Sequence, residues 1–241
     1  MVYFISGAAE NGLYAASYKI PTVIVLVSNI FMDAWQVSAV SDMSARARSR
    51  FFTKVFHNYC NLIFTACSGL ILLAKPLTYI LVSEDFYISW KYIPYLIMSM
   101  AFSCFVTFLG SVYMVERKSV LSFLTTALGA VINIVFNLIL IPKYGALGAA
   151  FATFFSYFVV FIVRILDTSR FIKIKIRIPR FILSSIILLA QSLILINEVD
   201  LWVLWELLLT VCMVVLNMGE IFRRAIVVFR EKDVKNENRF K

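Results

Sequence analysis

Long runs of apolar residues, separated by short polar gaps, make up most of the chain. A run of about 18 residues or more can cross the hydrocarbon core of a bilayer as a helix. Runs of about this length occur at Leu13–Val40, Phe56–Ala74, Ile93–Val115, Val120–Ile141, Ala146–Leu166, Phe181–Ile196 and Leu201–Met218. The pattern therefore predicts an all-α integral membrane protein with about seven transmembrane helices.

The amino-acid composition supports this prediction. Of the 241 residues, 61% are hydrophobic and 15% are charged, whereas soluble domains are roughly 45–50% apolar. The formal net charge of +9 would suggest a nucleic-acid partner for a soluble protein. Here the basic residues concentrate in the gaps between apolar runs, a distribution typical of membrane orientation. Nucleic acid is therefore not an expected partner.

The basic residues alternate between the two predicted sides of the membrane. One side carries 19 of the 23 lysines and arginines. They lie in the segments Arg46–Lys54, Arg117–Lys118, Arg164–Arg180 and Arg223–Lys241. Because cytoplasmic loops are enriched in Lys and Arg, this side is predicted to be cytoplasmic. The amino terminus is then outside and the carboxyl terminus is in the cytoplasm.

The same pattern divides the chain into four parts. Residues 1–166 are predicted to form the core transmembrane helices, 167–180 a basic cytoplasmic linker, 181–222 two peripheral transmembrane helices and 223–241 a cytoplasmic tail. The linker alternates basic and apolar residues, but an isolated strand has no partner edge there, so we expect an interfacial segment that meets anionic lipid. Seven helices are unusual for transporters built from paired halves, so we expect this chain to be part of a longer protein.

Two asparagines interrupt the fourth apolar run, and small residues seed the fifth. Asn133 and Asn137 are four residues apart and share a helix face, and a buried amide needs a partner or water. Hydrogen bonding between helices is the preferred interpretation, with direct substrate contact as the alternative. We expect Pro142 to end the helix, and Gly145 and Gly148 to begin a groove for close packing. This helix-packing motif predicts a tight helical hairpin.

A polar stripe runs along the first predicted helix. At about 100° per residue, one sector of this helix holds Lys19, Thr22, Asn29, Asp33 and Gln36. Such a stripe is costly in lipid, so it predicts a wall of a water-filled cavity. The alternative is that Lys19 reaches the outer headgroups and Asp33 lies at the inner boundary.

The second predicted helix repeats this polar character on its inner half. Asn58 and Asn61 are its candidates for the same substrate cavity. His57 is the only histidine and lies beside them. A structural role is preferred for it over that of a proton carrier.

Two segments carry a resemblance to a known family. The segment "GAVINIVFNLILIPKYGALGAAFATFFSY" resembles the signature hairpin of polysaccharide flippases in the multidrug/oligosaccharidyl-lipid/polysaccharide exporter superfamily, whose fold is MATE-like. The segment "AAENGLYAASYKIP" resembles the opening of the eighth helix in those proteins. The resemblance extends to about Arg164, and it implies that this chain is the second half of a protein of about 12 to 14 helices with two pseudo-symmetric halves.

The resemblance also implies a function. It implies export of a polyprenyl-diphosphate-linked oligosaccharide across the bacterial inner membrane, for lipopolysaccharide or capsule synthesis, by alternating access. The implied partners are the lipid-linked oligosaccharide, membrane lipid, the missing amino-terminal half and other polysaccharide assembly proteins. A drug or metabolite exporter of the same superfamily is the closer alternative, and a membrane glycan polymerase or transferase is the more distant one.

Enzymatic chemistry finds little support in the sequence. No catalytic triad, paired histidine and acid, or glycine-rich phosphate loop is visible. The four cysteines lie inside apolar runs without a CxxC pair, which favours apolar packing over a metal site. We expect neither a catalytic residue nor a cofactor nor a bound metal.

Overall fold

A computed structural model describes residues 1–39 and 44–237, with side chains described for residues 1–35 and 44–219. All regular structure in these residues is helical, which confirms the predicted all-α class. The helices are α1 (Val2–Ser17), α2 (Thr22–Ala39), α3 (Ala45–Leu72), α4 (Ala74–Leu81), a 3-10 helix (Glu84–Lys91), α5 (Ile93–Val115), α6 (Ser119–Thr168), α7 (Ile178–Ile196) and α8 (Trp202–Glu237).

The number of membrane crossings agrees with the prediction. Among the described residues, five helices are long and apolar enough to cross a membrane, and the bent pair α1 and α2 makes a sixth span. The helix α6 has 50 residues, or about 75 Å if straight, more than twice the roughly 30 Å of a bilayer core. It folds back on itself and supplies two of the crossings. The chain is thus a multi-pass membrane protein with seven crossings in the described residues.

The first predicted span is not a continuous helix, and the expectation of one is wrong. Turns replace the helix between Tyr18 and Pro21, and α1 and α2 meet there at a bend of 40°. Pro21 has no backbone N–H to continue the helical ladder. Lys19 therefore lies in the break and not on α2, which begins at Thr22.

The predicted hairpin is formed by the two halves of α6. The reversal occurs at Gly145, which has φ +54° and ψ −134°, a conformation that favours glycine. Pro142 lies inside the helix, so the helix does not end there as expected but continues to Tyr144. A Cβ atom on Gly148 would lie 2.5 Å from the carbonyl oxygen of Leu140. The small residue thus permits the close approach of the two halves.

The helix α5 lies at the centre of the bundle. It packs against α3, α6 and α7, and its apolar stretch is the most buried among the spans described. Aromatic side chains from α2, α3 and α5 fill much of the core, with Trp35 stacked on Phe108 at 4.9 Å between ring centroids and Tyr59 on the same ring at 5.5 Å. This core fixes α2 and α3 on one side of α5.

The linker between α6 and α7 is irregular and packs against the start of α3. The hydroxyl of Ser49 donates to the carbonyl oxygen of Lys173 at 2.5 Å, and the backbone N–H of Lys175 donates to Thr53 Oγ1 at 3.1 Å. Neither bond pairs two strands, which agrees with the expected irregular segment. The backbone of α8 is helical as far as Glu237 and so extends into the segment expected to be a tail.

Candidate functional site: a polar cavity beside the α6 hairpin

A carboxylate from α1 holds the turn of the α6 hairpin. Glu10 Oε2 accepts a hydrogen bond from the backbone N–H of Ala146 at 3.1 Å. Ala146 opens the second half of α6, where unpaired N–H groups and the helix dipole favour a negative charge. Burial, and then the charge of Glu10, raise the pKa of the neighbouring Tyr92 phenol. Glu10 thus connects α1 and the start of α5 to the hairpin turn.

The asparagine pair lies between the two halves of the hairpin. Asn137 Nδ2 donates to Asn133 Oδ1 at 2.8 Å. Asn133 Nδ2 in turn lies 3.5 Å from Thr153 Oγ1 and 3.4 Å from Ser156 Oγ on the opposite half. These contacts agree with the preferred interpretation of bonding between helices. Their length marks them as weak hydrogen bonds.

The same asparagines line a cavity of about 520 Å³ between α1 and the hairpin. On the hairpin side its polar lining residues are Thr126, Asn133, Asn137, Thr153 and Ser156, and on the α1 side they are Asn11, Tyr14 and Tyr18. From Thr126 to Ile141 the lining follows the first half of α6 for about 22 Å, most of the depth of a bilayer core. The cavity thus offers hydroxyl and amide groups along its length, with neutral polar chemistry suited to water or sugar hydroxyls.

A buried arginine lies beside one end of this cavity. Arg164 is 5% exposed and donates to Thr125 Oγ1 at 3.0 Å, to Thr126 Oγ1 at 2.9 Å and to the carbonyl oxygens of Val106 and Ser122 at 2.8 and 3.2 Å. Its partners are neutral and come from α5 and the first half of α6. The guanidinium therefore joins three helical segments.

The sequence pattern did not reveal this role for Arg164. At the end of the fifth apolar run, an arginine is indistinguishable from a cytoplasmic boundary charge, and it was counted as one. The signal that could have found it is the pair Thr125 and Thr126, which lies at a matching distance from the hairpin turn on the other half.

The polar stripe of α2 lies elsewhere, on a face turned away from the rest of the chain. Thr22, Asn29 and Asp33 are exposed, whereas Ser28 and Trp35 on the opposite face are 2% and 6% exposed. Apolar side chains lie among the polar ones, as at Leu26 and Ile30. The side chain of Gln36 lies outside the described residues.

The remaining predicted cavity residues do not join that stripe. Lys19 is exposed, and its Nζ donates to the carbonyl oxygen of Leu81, at the end of α4, at 3.4 Å. Asn58 is exposed on α3, whereas Asn61 is 9% exposed and lines a narrow cavity with His57, between α3, α7 and α8. The hairpin cavity thus holds the residues expected to pack, and the described residues expected to line a substrate cavity lie outside it.

These features define a multi-pass helical membrane protein with an internal polar cavity. No protein-family model and no curated protein sequence matches the chain. Among solved structures, its fold is similar to that of the lipid II flippase MurJ in an inward closed conformation, with a TM-score of 0.60 and 16% sequence identity. The match covers 93% of this chain and 52% of that chain.

This likeness concerns the fold. It agrees with the membrane fold that the sequence resemblance implied, and the chain spans about half the length of this neighbour. The neighbour is named for transport and not for catalysis, in line with the expectation of a non-enzymatic protein. Because one fold can carry several functions, activity and substrate are treated separately below.

Proposed function

We propose that this chain is part of a transporter that moves a polyprenyl-diphosphate-linked oligosaccharide from the inner to the outer leaflet of the bacterial cytoplasmic membrane, during the synthesis of lipopolysaccharide or capsule. The observation that carries this proposal is the likeness of fold to a flippase of a lipid-linked substrate over 93% of the chain. The segments that resemble polysaccharide flippases support the finer assignment to an oligosaccharide.

The exposed face of α2 supports a partner half. Asn29 and Asp33 are exposed in this chain alone, and a polar face of this kind is costly against lipid. A second bundle placed against α2 would enclose this face in a water-filled space. Rocking of the two bundles would open that space to each side of the membrane in turn.

In this proposal the polar and apolar parts of the substrate follow different routes. The sugar and diphosphate pass through the water-filled space along Thr22, Asn29, Asp33 and Gln36, with Asn58 and Asn61 towards the inner side, while the polyprenyl chain stays in lipid. Lys19 lies in the break before α2 and is exposed, so its ammonium is available to a diphosphate. The neutral lining around Asn133 and Asn137 is assigned to hairpin packing.

Complementation tests the transport assignment. In a flippase-deficient host, the chain joined to a matching amino-terminal half should restore surface glycan, whereas the chain expressed alone should not. Restoration of drug resistance without surface glycan would favour the exporter of drugs or metabolites and contradict the proposal. Full activity of the chain alone would show that a partner half is not required.

Substitutions of Lys19 test the diphosphate contact in the completed protein. Because charge is the relevant property, Lys19→Arg should retain transport and Lys19→Gln should lose most of it at equal abundance, while Lys143→Gln at the hairpin turn should have no effect. In a background without the native cysteines, Lys19→Cys should react with a water-soluble thiol reagent, and substrate should slow that reaction. Labelling that substrate never slows would assign Lys19 to anchoring at the headgroups.

Reporter fusions test the proposed orientation. A reporter inserted near Gly145 should be outside the cell, and reporters placed after Arg170 or Arg230 should be in the cytoplasm, because the basic gaps face inward. An outside carboxyl terminus would contradict this orientation.

A further inference from the structure

The interface of α7 and α8 with α3 contains a carboxyl group inside the membrane-spanning part of the chain. Glu206 on α8 is 0% exposed, as are Gln191 on α7 and Ser68 on α3. Among the described residues, Glu206 is the one acidic side chain that is buried. An acid at this depth is unusual enough to be a functional hypothesis by default.

The contacts of Glu206 are neutral. Gln191 Nε2 donates to Glu206 Oε2 at 2.9 Å and to Thr210 Oγ1 at 3.0 Å, and Ser68 Oγ lies 3.4 Å from the same Thr210 oxygen. These four polar side chains form a cluster from three helices. Within the described residues, no lysine or arginine forms an ion pair with Glu206.

Two oxygen atoms in this cluster have no hydrogen-bond partner among the described residues: Glu206 Oε1 and Gln191 Oε1. Both are acceptors when Glu206 is ionised, so neither can satisfy the other. An ionised carboxylate would also be held there by one neutral N–H donor, which does not offset the loss of hydration. The ionised form thus leaves both defects in place.

A single proton corrects both defects. A protonated Glu206 Oε1 becomes a donor, and the adjacent Gln191 Oε1 is an acceptor that needs one. The acid and the amide can then form a two-point pair, with one hydrogen bond in each direction. We propose that Glu206 is a proton-binding site, occupied at neutral pH, whose proton allows α7 and α8 to dock against α3.

Other titratable groups near this interface do not supply the missing charge. On α3, the thiol of Cys67 faces the carbonyl oxygen of Ile97 on α5, and on α8 Cys212 is exposed. At the outer end, Lys75 is engaged by Glu198 at 2.6 Å. On α7, Arg180 lies at the other end and donates to the carbonyl oxygen of Leu216.

Infrared spectroscopy of the purified full chain tests the protonation state directly. The carbonyl stretch of a protonated carboxylic acid should be present at neutral pH, should shift in D₂O, and should be lost in Glu206→Gln. The exposed residue Glu84 provides the matched control, since Glu84→Gln makes the same chemical change and should leave the band unchanged. A band that persists in Glu206→Gln, or its absence from the wild type, would overturn the proposal.

The pH dependence of stability in detergent gives a second test. With Glu206 protonated in the folded state and ionised in the unfolded state, the folded state binds one proton more, so stability falls as pH rises above neutrality. Over that range the unfolding equilibrium constant of the wild type should increase by about tenfold per pH unit relative to Glu206→Gln. Glu84→Gln should follow the wild type.

Two outcomes of this stability test would contradict the proposal. If Glu206→Gln is less stable than the wild type at every pH, the carboxylate is the form that the fold requires. If sodium ions stabilise the wild type and not Glu206→Gln, the oxygen cluster is a cation site instead. The infrared titration of the wild type needs no variant, so it remains decisive even if Glu206→Gln fails to fold. None of these measurements depends on transport.

Discussion

The two helical hairpins of this protein use similar polar side chains in opposite ways. In the α6 hairpin, Asn133 and Asn137 bond across or along the hairpin and also face a cavity of about 520 Å³. In the hairpin of α7 and α8, Asn217 donates to Ser184 Oγ at 3.2 Å, and both side chains are at most 1% exposed. A polar residue in a span can therefore line a cavity or close an interface, and the neighbouring helix decides which.

Loss of Arg164 should break the α6 side of this comparison most severely. Its guanidinium holds α5 and both halves of the hairpin together, and Arg164→Ala would remove four hydrogen bonds and leave a cavity. We expect the free energy of unfolding in detergent to fall by about 3–5 kcal/mol. Arg170→Ala is the control, because that side chain is 76% exposed, and it should change stability by less than about 0.5 kcal/mol. Equal losses for both variants would contradict the structural role of Arg164.

The close approach in the α6 hairpin gives the next largest effect. Gly148→Ala would place a Cβ atom 2.5 Å from the Leu140 carbonyl oxygen, so the halves must separate, at a cost of about 1–3 kcal/mol. Gly69→Ala on α3 provides the control, since no atom lies within 4 Å of the added Cβ, and a helix gains up to about 1 kcal/mol from this change. Thermal unfolding in detergent should shift in opposite directions for the two variants.

The asparagines of the α6 hairpin should contribute less. Asn133→Ala and Asn137→Ala should each lower the free energy of unfolding by on the order of 1 kcal/mol, with substrate preference unchanged in the completed protein. Stability is measured in detergent and preference by glycan export. Loss of export at normal stability and abundance would move these residues from packing to substrate contact.

The smallest effect is expected at the outer end of α7 and α8. Lys75 Nζ lies 4.2 Å from the ring centroid of Trp90 and 4.4 Å from that of Trp202, and it holds the pKa of Glu198 below its usual range. Lys75→Ala should cost on the order of 1 kcal/mol, whereas Lys143→Ala at the exposed turn of α6 should be neutral in the same unfolding assay. A larger loss from Lys143→Ala would reverse the comparison between the two ends.

The pairing of Lys75 with Glu198 also predicts a response to acid. Because the pKa of Glu198 is lowered in the folded state, the pair stabilises the fold at neutral pH. That contribution should be lost as pH falls through the lowered pKa.

Much of this architecture could be predicted from the pattern of apolar runs. The bounds of α5 agree with the third run, and the α6 hairpin follows from Gly145, the small residues and the two asparagines. The break before α2 was missed because an apolar run does not report a local interruption, although Pro21 gave a signal. The hairpin turn was placed at Pro142 because proline usually ends a helix, whereas the positive φ of Gly145 provides the reversal.

The polar interiors were harder to predict. Arg164 and Glu206 each lie near the end of an apolar run, where a charge is ordinarily solvated, and their burial depends on helices that are distant in the sequence. The stripe on α2 was recognised, but periodicity alone could not assign it to the same cavity as Asn61. Distances between spans require the fold, since a sequence pattern gives only the face of each helix.

The position of Lys75 between two indole rings also has a practical consequence. Trp90 and Trp202 belong to different parts of the bundle, and indole emission responds to a nearby ammonium and to hydration. Separation of α8 from the rest of the protein would remove the shared cation from both rings and expose Trp90, which is now 3% exposed. Intrinsic fluorescence can thus monitor this movement in the unlabelled protein, with Trp202→Phe to assign the signal.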